Sequence, residues 1–86
     1  MNKREILCDM GYEDSVVFEN PDYNDAIIGV TEEGSVIYDY DLMVEWLVKE
    51  DDMTYEEAIE FIDYNTIRSL PYANEPRPII MYKLCE

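Results

Sequence analysis

Hydrophobic residues recur with two different periods along this chain, and the change of period marks its elements. In residues 3–10, Ile6, Leu7 and Met10 share a helical face, and Gly11 is placed to stop the helix. So short an element needs tertiary contacts to persist. Residues 15–18 form a brief β-prone run, and Asn20-Pro21-Asp22 reads as a turn. Two apolar runs follow, residues 26–30 and 36–38. Between them Glu32-Glu33-Gly34 supplies a reversal in which Gly34 suits positive φ. The pair predicts a β-hairpin.

The period lengthens after Tyr38. Leu42, Met43, Trp46 and Leu47 fall at helical spacing over residues 39–50, with Val44 and Val48 widening the stripe. Asp39 is placed to cap this helix, and Asp41 suits the positive end of its dipole. Thr54-Tyr55-Glu56-Glu57 is a capping-box sequence, behind which Ala58, Ile59, Phe61 and Ile62 make the apolar face of a second helix. The short link Asp51-Asp52-Met53 implies an antiparallel helical hairpin. Residues 67–70 predict one more turn before Pro71. Pro76 and Pro78 keep the next link extended, and residues 79–82 predict a last strand that joins the hairpin sheet. The expected fold is α+β. A small antiparallel sheet, the hairpin plus the C-terminal strand, packs against a helical hairpin, with a short N-terminal helix, in one compact domain of residues 1–86.

Composition supports a core: 48% of residues are hydrophobic and 13% aromatic, which excludes a disordered acidic tail. Eight Tyr against two Phe suit the margin of a core or an interface. Among them Tyr12, Tyr23, Tyr40 and Tyr72 fall in or beside predicted loops, and their exposure or burial bears on whether aromatics bind a partner. Cys8 and Cys85 lie near opposite ends with no CxxC and read as free thiols of a reducing compartment. Lys3 and Arg4 precede no apolar stretch long enough for a signal peptide, and no run reaches membrane-spanning length. The expected location is the cytoplasm.

Candidate chemistry is sparse. The chain has no His, which removes the commonest neutral-pH base and metal ligand, and with it any Ser–His or Cys–His pair. Thr66 and Ser69 therefore read as capping or surface hydroxyls. Gly11, Gly29 and Gly34 are isolated, so there is no phosphate loop. Asp22, Asn24 and Asp25 cluster, as do Asp39 and Asp41, but neither has the spacing of a Ca²⁺ loop. Cys8, Cys85 and two carboxylates would make an unusual zinc set. Paired carboxylates can hydrolyse glycosides, but among 21 acids close pairs arise by chance. The expectation is a protein that is not an enzyme, with no catalytic residue, no metal site and no cofactor.

Charge is the clearest clue to function. Twenty-one Asp and Glu against six Lys and Arg give a formal net charge of -15. Such a surface repels nucleic acid and anionic membrane and attracts basic proteins. On the second helix Glu56 and Glu60 are spaced i,i+4 and Glu60 and Asp63 i,i+3, so neighbours repel. Asp51 and Asp52 precede this row and Glu45 projects from the helix before it. Together they predict a negative ridge, and Glu32 and Glu33 predict a second patch at the hairpin tip. A ridge without compensating Lys is complementary to a basic groove, and a rigid row of acids imitates a row of phosphates. Arg68 is expected beside a local carboxylate, and Trp46 in the core.

Val36-Ile37-Tyr38-Asp39-Tyr40-Asp41, the stretch from Met53 through Tyr55-Glu56-Glu57-Ala58 to Thr66, and Arg68-Ser69-Leu70-Pro71-Tyr72 resemble a family of small acidic proteins from Firmicutes and their mobile elements. The likeness runs from Asp25 to Tyr82 and carries over no active-site residue. It implies a phage or mobile-element setting, where small acidic inhibitors of restriction and CRISPR machinery occur. Two readings follow. In the first, the chain is an acidic protein-binding module that imitates nucleic acid and occupies a basic host defence protein through Glu32, Glu33, Glu45, Asp51, Asp52, Glu56, Glu60 and Asp63. In the alternative, it is a small regulatory or structural domain that binds a protein partner through exposed aromatics, and the acids serve solubility. A homo-oligomer is compatible with either reading, but no sequence feature argues for one.

Overall fold

Gly11 ends the first helix, α1 (Lys3–Asp9), as expected. In the computed structural model, which describes residues 3–12, 15–18, 23–72 and 75–84, Gly11 has φ 92°. Its N–H donates to the Cys8 carbonyl at 3.0 Å, and the Tyr12 N–H to the Leu7 carbonyl at 2.9 Å. This pair of bonds is a Schellman closure, which needs a residue tolerant of positive φ at that point. Leu7 is the residue of α1 that enters the core. The turn expected at Asn20-Pro21-Asp22 lies outside the described residues.

Residues 15–18 are not a strand. Side chains tie them down instead: Ser15 Oγ donates to the Gly34 carbonyl at 2.7 Å, and the Phe18 N–H donates to Tyr38 Oη at 3.1 Å. Gly34, buried with φ 98°, lets the hairpin turn sit under this segment, 3.6 Å from Ser15 Oγ and Pro76 at its would-be Cβ. The hairpin itself is as expected, with β1 (Ile27–Val30) antiparallel to β2 (Val36–Asp39). A bulge between Ile27 and Gly29 leaves Ile28 as the extra residue, and it is exposed.

β3 (Ile79–Met81) joins β2 in parallel, giving the order β1-β2-β3 and a mixed sheet rather than a wholly antiparallel one. The cause lies in the connection. Residues 40–78 hold the two helices and form a long crossover, which returns the chain in the direction of β2; a tight turn would have reversed it. Paired residues share a face, so Ile27, Tyr38 and Ile80 form one row and Gly29, Ile37 and Ile79 the opposite one. Ile27 and Tyr38 are buried and Ile80 packs against them, so their face is the core face.

α2 (Tyr40–Glu50) starts as expected on Asp39, whose Oδ1 accepts the Leu42 N–H at 3.1 Å. Its buried residues are Met43, Val44 and Leu47. The helix is thus turned away from the expected stripe: Leu42 is exposed, and Trp46 sits half-buried at the core margin against the Tyr23 ring, 5.7 Å between centroids. α3 (Tyr55–Phe61) packs on α2 as a helical hairpin, with Ala58 buried and Ile59 and Phe61 partly so. It runs on as a π-helical stretch, Ile62–Ile67. Ala58, Ile62 and Thr66 are all buried and recur every four residues. A regular α-helix would rotate such a row by about 40° per step, and a wider turn counters that drift.

The capping box is complete. Thr54 Oγ1 accepts the Glu57 N–H at 3.2 Å, and Glu57 Oε1 accepts the Thr54 N–H at 2.9 Å. These bonds hold the Glu57 carboxyl below its ordinary value, the backbone bond most of all. Thr54→Ala is expected to cost about 1 kcal/mol, a fall of roughly 4–8 °C in Tm in a domain of this size, and Thr54→Ser to restore most of it. Thermal unfolding followed by circular dichroism checks both.

Candidate functional site

The eight acids expected to bind a partner are all exposed: Glu32, Glu33, Glu45, Asp51, Asp52, Glu56, Glu60 and Asp63. They do not share one concavity. Glu45 lines a hollow of about 150 Å³ with Asp25, Leu42, Trp46, Lys49 and Glu50. Glu60 lines another of about 350 Å³ with Met53, Glu57, Phe61, Tyr64 and Asn65. Glu32 and Glu33 stand in the β1–β2 turn. The charges of Asp63 and Asp51 reach inward: burial first, then Asp63, pushes the Tyr40 phenol up, and Asp51 adds to the effect of burial on Tyr23.

Among the described residues, the ion pairing offsets little of this charge. Arg77 Nε lies 3.1 Å from Glu75 Oε1 with both side chains exposed, a geometry worth little in water. Arg68, expected beside a carboxylate, holds its guanidinium 4.7 Å from the centroid of the Tyr64 ring. With a net charge of -15, like-charge repulsion is expected to dominate the part of the electrostatics that salt screens, over roughly 10 Å at 0.1 M. Raising NaCl from low to moderate concentration is expected to raise Tm, and a scanning calorimetry series that shows Tm falling would contradict this.

The hollow around Tyr64 has a plain structural origin. Glu57, Glu60, Phe61, Tyr64 and Asn65 recur at three- and four-residue spacings along α3 and the π stretch, so they share a face. Met53 closes it from the inter-helix link. Asn65 Nδ2 donates to the Phe61 carbonyl at 3.2 Å and fixes the rim. Tyr64 stays 61% exposed. Glu57 is engaged in capping, so Glu60 supplies the other carboxylate. An aromatic and thioether floor beside a carboxylate can accept a cationic side chain or an apolar one with a basic neighbour.

A larger groove, about 630 Å³, separates α1 from β1 and is lined by Ile6, Leu7, Met10, Ile27, Ile28, Gly29 and Val30. Ile6, Met10 and Ile28 are exposed there. No periodicity signalled this groove, because it arises from two elements that meet only in the fold.

Of the tyrosines singled out in the sequence, Tyr72 is 89% exposed, Tyr12 and Tyr40 are half-buried, and Tyr23 is fully buried. Tyr55, Tyr64 and Tyr82, which are also exposed, were not singled out. Tyr82 and Tyr40 lie ring to ring at 4.8 Å. Thr66 is no surface hydroxyl; its Oγ1 lies buried, 2.8 Å from Tyr23 Oη. Cys8 is a free, exposed thiol, and Cys85 lies outside the described residues. Among the described residues no group of three or more Cys, Asp or Glu is placed to hold a metal ion, and no helix is long and apolar enough to cross a membrane. Comparison with models of protein families, with curated proteins and with solved structures gave no match.

Proposed function

We propose that this domain binds a protein partner through aromatic and apolar side chains left uncovered on its surface, while its acids serve solubility and favour basic partners. One observation carries the reading: Tyr64, Phe61 and Met53 meet in an open hollow beside Glu60. Natural surfaces more often scatter such side chains singly, so their grouping supports contact with another protein. The domain would act in the cytoplasm, as a regulatory or structural partner rather than a catalyst. The competing reading, imitation of nucleic acid, draws on the net charge of -15 and the exposure of Glu56, Glu60 and Asp63. Side-by-side affinity capture from host lysate with the unaltered domain and with Tyr64→Ser tests the proposal. Partners lost with Tyr64→Ser at moderate salt support it; an unchanged set of partners opposes it.

A further inference from the structure

The groove beside β1 has a feature that the Tyr64 hollow lacks: a sheet edge. β1 is an outer strand in the order β1-β2-β3. The Thr31 N–H donates to the Ser35 carbonyl at 2.9 Å, and Thr31 directly follows β1. Antiparallel pairing alternates, so the preceding residue, Val30, turns its own N–H and carbonyl away from β2, towards the outer edge. Along this edge runs the apolar groove, walled on its far side by Ile6 and Met10 of α1. At Gly29, where an added Cβ would meet nothing within 4 Å, the groove is open. An outer strand with an outward N–H and carbonyl at Val30, beside an apolar trough left open at a glycine, is a geometry that strand addition can use.

Charge selects the occupant. Exposed Glu5 and Asp9 flank the wall residues on α1, and exposed Glu32 and Glu33 follow β1. Lys3 and Arg4 are the basic residues of this stretch of sequence, so the surroundings are acidic on balance. Two copies of the chain, each at -15, are opposed from pairing edge to edge. We propose that the groove between α1 and β1 takes an extended, basic segment of a partner protein as an added β-strand, with apolar side chains in the trough and Lys or Arg facing the surrounding carboxylates. The groove shares no residue with the Tyr64 hollow, so the two proposals stand or fall separately.

Fluorescence anisotropy on the full chain, with a labelled short peptide of alternating Lys and Val, tests this. One control alternates Lys and Gly at the same charge, and another N-methylates alternate backbone amides of the Lys-Val peptide. The Lys-Val peptide is expected to bind at least about tenfold more tightly than either control. Its NMR footprint is expected on the amides of Ile28, Gly29 and Val30. The neutral pair Met10→Gln with Ile28→Thr is expected to weaken it about tenfold. Gly29→Val, which has open space for its side chain, is expected to block it with the circular dichroism spectrum unchanged. Equal binding of the Lys-Val and Lys-Gly peptides would show bulk charge attraction alone and overturn the proposal. So would unchanged affinity in the folded variants. A dimer whose β1 amides are already shifted without peptide would overturn it in favour of a second copy as the occupant.

Discussion

Tyr23→Ala is expected to remove most of the protein's stability at room temperature. Tyr23 is fully buried at the junction of three segments. Its ring meets the Phe18 ring edge-on at 5.7 Å and the Trp46 ring at 5.7 Å, joining residues 15–18 to α2. Its hydroxyl reaches Thr66 in the π stretch. Removing such a ring costs about 3–5 kcal/mol, comparable with the whole stability of a small domain, at the low end of roughly 5–15 kcal/mol. Alanine also gives no relief to the backbone, which is left-handed at this position with φ 48°. Urea unfolding followed by Trp46 fluorescence and circular dichroism measures the loss; a loss below about 1 kcal/mol would contradict this packing role. Tyr23→Phe separates ring from hydroxyl. It leaves buried Thr66 Oγ1 without this bond and is expected to cost about 1–3 kcal/mol. The phenol also carries a pH signature. Burial pushes the Tyr23 phenol up, against the opposing hydrogen bond from Thr66. The folded state thus favours the neutral form. That contribution is full below the ordinary tyrosine value of about 10 and is lost as pH rises through the raised one. Tyr23→Phe is therefore expected to flatten the alkaline limb of the stability curve.

The second large effect concerns binding. Tyr64→Ser is expected to weaken a partner captured by this domain at least tenfold, about 1.4 kcal/mol or more, with the fold kept because Tyr64 is 61% exposed. The triple change Glu56→Gln, Glu60→Gln and Asp63→Asn is expected to slow association and flatten its salt dependence while leaving affinity at moderate salt within about threefold. Glu57 is kept in both, since its capping bonds would confound the result. Surface plasmon resonance with the captured partner reads both variants. The reverse order of effects would transfer the interface to the acids.

Local patterns made much of the fold legible. The Thr54–Glu57 capping box, the Asp39 cap, the Gly11 stop and the β1–β2 hairpin each rest on residues close in sequence, and each is present. What needed long-range packing was not legible. The parallel entry of β3 depends on how a crossover of two helices returns to the sheet. The rotation of α2 depends on which of two apolar flanks, Leu42–Trp46 or Val44–Val48, meets the sheet. The burial of Tyr23 had no local sign, because its neighbours Pro21, Asp22 and Asn24 are turn formers, whereas Phe18, Trp46 and Thr66 bury it from elsewhere in the chain. The acids were legible as exposed, since charge alone keeps them in water. The Tyr64 hollow was half-legible: its spacing is in the sequence, but Tyr64 directly follows Asp63 in a row of acids whose charge is the stronger signal.

The salt dependence of the partner's affinity for the unaltered domain tests most directly whether uncovered aromatic surface, rather than charge, holds the complex. An apolar interface with acids at its margin is expected to lose less than about tenfold between 50 and 200 mM NaCl, because rim charges act mainly on the rate of encounter. A loss of about a thousandfold or more over that range, as for proteins that neutralise a row of phosphates, would contradict the account and place the acids in the interface.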